Sequence, residues 1–270
     1  MKLQFTNSYR PRFDQISRIL QYLLKEEGRK KIPQQEIVEN LGIPKNQVEN
    51  LISMMVGFGL VRSRVTTLTE LGKEIIQADP YFEKIESLWI IHYIVSSNPE
   101  WVVWYRIINN VLPSLDKFTV ENTSNSYFSD LSALFSEKTI ADKLPKEIAV
   151  VYFSYAHSEF ARLNLLQQEG PASYVRGNPV DVPSQAFLFC ILYYRDRHSP
   201  GSSAMNVEDI CLAEYSPGRV FNMPEYQVRQ LLDELHNNGL IRLEKFANLD
   251  QVRFSEAITQ QFALAKIYGG

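Results

Sequence analysis

Apolar residues recur at helical spacing from the start of the chain. Phe13, Ile16, Ile19, Leu20, Leu23 and Leu24 share one face, and Gly28 closes the helix they predict. Pro33 opens a second helix with Ile37 and Val38 inward, ending at Leu41-Gly42. Pro44 opens a third, whose buried stripe is Val48, Leu51, Ile52 and Met55. Alternation then replaces the helical period. Residues 60–65 read as a strand, residues 66–69 as its return, and a helix over about 70–77 follows. This is the order of a winged helix-turn-helix with a short wing.

The pattern occurs twice. The stretch 43–62 reappears without gaps 180 residues later as 223–242, with seven of twenty aligned positions identical: Pro, Gln, Val, Leu, Gly, Leu and Arg. Val228, Leu231, Leu232, Leu235 and Leu240 repeat the apolar positions of the first copy. Residues 187–192 supply an apolar helix before the second copy, Asn206 caps a short helix through Ala213, and 216–221 is an insertion. Residues 240–246 and 251–254 predict its wing strands, with Asn248-Leu249-Asp250 at the tip.

Between the copies the chain reads as helices and loops. Ile85, Leu88, Trp89, Ile91, His92 and Val95 make a broad apolar face, and Ser97-Asn98-Pro99 breaks it. Residues 101–111 predict a helix stopped at Pro113, 121–126 a polar mobile loop, 148–163 an apolar helix, and 165–175 a small hairpin around Gly170-Pro171. The expected architecture is mainly α. Two winged helix-turn-helix units, 1–78 and 181–270, flank a helical middle region, 79–180, with small β wings.

Composition changes this picture little, and charge changes it more. The apolar run 88–95 is far shorter than the ~20 residues a membrane span needs. There is no signal-like opening. Cys190 and Cys211 have no metal-site spacing. A soluble cytoplasmic protein with buried, reduced thiols is expected, without membrane contact. The net charge of −3 is unevenly spread: residues 1–78 hold 12 Lys+Arg against 8 Asp+Glu, so the other 192 residues carry a net −7. A polyanion should meet the first copy.

Lys45, Asn46, Glu49, Asn50 and Ser53 are expected on the outer face of the first repeated helix. There Lys45, Asn46 and Asn50 suit base edges in a major groove. Arg62 and Arg64 in the wing, with Arg10, Arg12, Lys30 and Lys31, suit phosphates. A plain solvated face is the competing reading, and Glu49 favours it. The same face of the second copy carries Glu225, Arg229, Asp233 and Glu234; three acids against one base suit a protein partner or a homo-oligomer better than duplex DNA. Trp89, Trp101 and Trp104 sit at core spacing, and His92 reads as a core histidine. No pair of histidines has metal-ligand spacing, and no phosphate loop, dinucleotide fingerprint or nucleophile elbow is present. No catalytic residue, metal or cofactor is expected.

Several blocks carry a family resemblance. Leu68-Thr69-Glu70-Leu71-Gly72, Asp79-Pro80-Tyr81-Phe82-Glu83, and residues 87–93 with Ser97-Asn98-Pro99 and Trp104-Tyr105 resemble the bacterial domain-of-unknown-function family numbered four thousand and seven. So do Lys138-Thr139-Ile140-Ala141-Asp142 and Ser216-Pro217-Gly218-Arg219-Val220-Phe221. The likeness spans about residues 36–240. One departure is visible: where the family tends to open on a Gly-His-Glu-Thr-Phe-like segment, this chain reads Phe5-Thr6-Asn7-Ser8-Tyr9-Arg10-Pro11-Arg12. Members sit beside sulfur-transfer and reductase-like genes of DNA phosphorothioation and in other phage-defence islands. The resemblance implies that setting and no activity; joined to the basic face of the first copy, it gives the expectation of a non-catalytic DNA-binding accessory of such a system. The alternatives are an interaction scaffold without DNA contact and an uncharacterised enzyme.

Overall fold

The computed structural model describes residues 2–246 and 249–269; of the expected second wing tip, Asn248 lies outside the described residues. The chain is mainly helical with small sheets, and it divides after Val180 into two compact units.

In the first unit, α1 (Phe13–Lys25) buries Phe13, Ile16, Ile19, Leu20 and Leu23. Helices α2 (Gln34–Leu41) and α3 (Lys45–Gly57) follow, α3 burying Val48, Leu51, Ile52, Met54 and Met55. Val38, expected inside, is only half-buried. Gly59 leaves α3 with φ +75°, and the aligned Gly239 has φ +70°. A left-handed exit that only glycine adopts cheaply explains why both copies keep it. Strands β1 (Val61–Arg62) and β2 (Thr67–Leu68) pair antiparallel, Val61 opposite Leu68. Helix α4 (Glu70–Ala78) is capped by Thr69, whose hydroxyl accepts from Gly72 N at 3.0 Å.

Helix α5 (Ile85–Ser96) is buried on every side from Ser87 to Ser96, as a central helix must be. The helix expected over 101–111 is broken: α6 (Val102–Arg106) passes through a π turn at Ile107–Val111 into α7 (Leu112–Ser114). The run stays helical through this turn and ends at Ser114, next to Pro113, where Leu115 turns extended. The expected loop at 121–126 is helical as well. There α8 (Val120–Tyr127) starts from a Thr119/Asn122 capping box, and its buried Thr123 hydroxyl bonds the Tyr152 hydroxyl at 2.5 Å. The long α9 (Glu137–His157) begins earlier than expected, and a 3-10 turn takes Glu159–Leu163. Strands β4 (Leu166–Gly170) and β5 (Ser173–Arg176) form the expected hairpin, which gains β3 (Lys117–Thr119) on the outer side of β5.

Residues 1–78 and 79–180, distinct in the sequence reading, share one core. Phe13 meets Phe82 edge-on at 5.0 Å and Phe160 at 5.3 Å, and Phe58 meets Trp104 at 6.0 Å.

In the second unit, α10 (Ser184–His198) leads to β6 (Ala204–Asn206), α11 (Val207–Leu212), α12 (Pro217–Val220) and α13 (Glu225–Asn237). The insertion at 216–221 is the short α12, capped by Ser216. Strands β7 (Arg242–Phe246) and β8 (Leu249–Arg253) pair in register, with β6 on the far side of β8. Helix α14 (Gln260–Tyr268), not foreseen, packs on α10. Leu231 and Leu240, expected in the core, are half-buried, and Ile241 is buried instead. Among the described residues no helix is long and apolar enough to cross a membrane.

Candidate nucleic-acid interface

The loop between α1 and α2 carries Arg29, Lys30 and Lys31. Just after it, Ile32 N donates to Val65 O at 2.9 Å. Val65 belongs to the turn joining β1 to β2, so this bond lays the two loops side by side. Lys30, Lys31 and Arg64 are all exposed, and among the described residues none has a carboxylate within the 4.0 Å of an ion pair. Arg29 is spent internally, at 3.0 Å from Glu26 and 2.7 Å from Glu36. Its guanidinium holds the Glu36 carboxyl below the ordinary range. One edge of the first unit thus presents three uncompensated cations.

The remaining sequence candidates divide by what they touch. Arg62 turns its guanidinium to Leu68 O and lies 3.6 Å from Glu70. It lines a cleft with Arg29 and Lys73 against Glu26, Glu27 and Glu70, so its charge is balanced. Arg12 grips Asp14 through two bonds of 3.1 and 3.0 Å, and this pairing lowers the Asp14 carboxyl pKa. Arg10 lies over the Phe153 ring at 4.0 Å. Lys45 is 3.9 Å from Glu49, one helical turn away.

The expected reading face of α3 is only partly open. Residues 5–7 run along its second half. Asn7 Nδ2 donates to Asn50 Oδ1 at 2.8 Å, and Ser53 Oγ donates to Phe5 O at 3.2 Å. Phe5 sits so close that a Cβ on Gly57 would lie 2.3 Å from its ring. Asn50 is therefore engaged and half-buried, while Lys45 and Asn46 at the start of the helix stay exposed. Glu147 holds this segment from below: its carboxylate accepts from Thr6 N at 3.1 Å, Thr6 Oγ1 at 2.9 Å and Ser8 N at 2.7 Å. Nothing local in the sequence marks Glu147, because its partners lie 139 and 141 positions away.

On α13 the four acidic and basic candidates do not share a face. Arg229 bridges Glu225 at 2.7 Å and Asp250 of β8 at 2.6 Å, and Asp233 is exposed on that side. At 3.6 residues per turn Glu234 lies on the opposite side of the helix from Glu225. There it accepts from Ser184 Oγ of α10 at 2.5 Å, so it faces its own unit. Tyr226, Phe246 and Leu249 are strongly exposed for their size, and Leu212 closes α11 in the same state.

The remaining polar chemistry is internal. His92 Nδ1 lies 2.6 Å from the Tyr155 hydroxyl, which also accepts from Trp104 Nε1 at 3.0 Å. Burial raises the Tyr155 pKa, so the hydroxyl keeps its proton. Both cysteines are buried, and burial pushes the Cys211 thiol up to about 11. Among the described residues no three His, Cys, Asp or Glu side chains are grouped to hold a metal ion.

Fold and edge together define a two-unit, mainly helical protein with a cationic loop pair on its first unit. The chain belongs to the family described as "Protein of unknown function (DUF4007)", which matches residues 7–268. Two solved structures share the fold. An SspB crystal structure aligns with a TM-score of 0.78 at 17% identity, covering 98% of this chain and 87% of that one. A magnesium ion-bound SspB crystal structure aligns with a TM-score of 0.77 at 16% identity and the same coverage. At such identity the likeness is one of fold. No curated protein matches.

Proposed function

We propose that the chain is a non-catalytic DNA-binding accessory protein whose first unit works as a winged helix-turn-helix. In this reading α2 and α3 form the helix-turn-helix and the β1–β2 hairpin is the wing. The observation that carries it is the Ile32–Val65 bond, which sets Lys30 and Lys31 beside Arg64 with no acid to neutralise them. Such an edge suits a run of phosphates, and the open Lys45 and Asn46 suit groove contacts. In this reading the setting is the one the sequence resemblance implies, a DNA-modification or phage-defence system in a bacterial cytoplasm. The test is a duplex titration across salt with Lys30, Lys31 and Arg64 together replaced by Ala. If all three meet phosphates, the slope of log K against log salt should flatten by about 2.7, at ~0.9 per contact. Arg12→Ala should change it little. An unchanged slope in the triple variant removes the assignment.

A second reading covers the second unit. There the copied helix keeps its core, Arg229 is consumed by Glu225 and Asp250, and Tyr226, Phe246 and Leu249 stand exposed. This combination favours a winged helix turned to protein contact, with a partner protein or a second copy of the chain, over a second DNA reader.

A further inference from the structure

We propose that Arg10 and Phe153 form a stacking platform for an unpaired nucleotide of a single strand, with His157 at its rim. The proposal rests on the nucleic-acid reading of the first unit but concerns a different place on it. Arg10 is exposed, and among the described residues it makes neither a hydrogen bond nor an ion pair. Its guanidinium lies 4.0 Å over the half-buried Phe153 ring. A guanidinium stacked by one face keeps its other face for a second flat group, while its in-plane N–H groups remain free for a phosphate. Phe153 and His157 are one turn apart on α9, with ring centroids 5.2 Å apart.

The rim histidine has a defined tautomer. Gln168 Nε2 donates to Gly170 O at 2.8 Å, so its Oε1 is the atom 2.6 Å from His157 Nε2. That oxygen only accepts, so Nε2 carries a proton, and in the neutral ring Nδ1 is the acceptor for a base N–H. A duplex offers base edges and hides base faces in the stack. A platform built from planar faces with one cation suits bases that have left the stack.

The test uses the full chain and fluorescence anisotropy. The probes are oligo(dT), oligo(U), an abasic strand and a duplex, each of about twelve nucleotides per strand. Phe153→Ala and Arg10→Lys should each weaken binding of oligo(dT) or oligo(U) by about tenfold and leave the duplex within about twofold. The strand that responds more identifies DNA or RNA as the source. Arg10→Lys keeps the charge and loses the flat face, so it separates stacking from simple attraction, and Phe153→Trp should restore binding. The triple replacement at Lys30, Lys31 and Arg64 should give the reverse pattern, which keeps failure of the platform distinct from failure of the duplex edge. An abasic strand bound as tightly as oligo(dT), or a Phe153→Ala protein that binds every strand like the parent, overturns the proposal.

Discussion

Glu147 is a buried carboxylate with no ion-pair partner among the described residues, held by donors from Thr6 and Ser8. To aim those donors, Asn7 and Ser8 adopt φ of 50° and 63°, which non-glycine residues rarely do. An amide at 147 would set an N–H group against donors, so Glu147→Gln should destabilise the fold by ~1–3 kcal/mol. Burial raises the Glu147 pKa above its ordinary 4.5. Its contribution is then fully present below that value and lost as the pH rises through the raised one. The stability gap between parent and Glu147→Gln, measured by urea unfolding, should narrow on going from acid toward neutral pH; a gap that widens contradicts this sign. Trp89 shows no exposed surface, and Trp89→Ala should cost ~3–5 kcal/mol and lower Tm before it alters any binding. A stable Trp89→Ala protein that fails only in binding would make the residue functional.

Helix α3 and its copy α13 separate intrinsic preference from surroundings. Alanine is a better helix former than glycine by ~1 kcal/mol, yet a Cβ at Gly57 would strike the Phe5 ring at 2.3 Å. Gly57→Ala should therefore lower Tm. The aligned Asn237 is exposed, so Asn237→Ala should hold or raise Tm, through a gain of about a few tenths of a kcal/mol in stability. Thermal melts of the two variants check the contrast. The elements legible in the sequence were those with local signals: α1 to α4 from period and punctuation, and the β7–β8 hairpin from alternation. Helix α8 was not legible, because six polar residues read as a loop until the Thr119 cap and the buried Thr123 are known. The site was legible in the same proportion. Lys30, Lys31 and Arg64 stand out as cations, but only the Ile32–Val65 bond brings them together. Phe153 reaches Arg10 through tertiary packing that no local pattern records.

At the scale of the whole molecule, residues 1–78 and 79–180 offset each other. The second stretch has 8 Lys+Arg against 12 Asp+Glu, so the first compact unit, with 20 of each, is neutral overall. Attraction to a polyanion must then come from the distribution of charge and fade quickly with salt. Separate fragments 1–180 and 181–270 should each fold, since each has its own core. In gel shifts at low salt the first should retain duplex DNA and the second should not. Retention by 181–270 alone would exchange the roles of the two units.

The clasp at Glu147 also sets an order of events during synthesis. A ribosome delivers Phe5 and Gly57 long before residue 147, yet the carboxylate that fixes residues 6–8 is 141 positions downstream of Thr6. Until α9 has emerged, only the Asn7–Asn50 and Ser53–Phe5 bonds tie this segment to α3, without the buried carboxylate that fixes Thr6 and Ser8, and an apolar surface stays open to chaperones. Nascent chains stalled before residue 147 should be protease-sensitive at residues 2–12, and chains stalled well beyond it should be protected there.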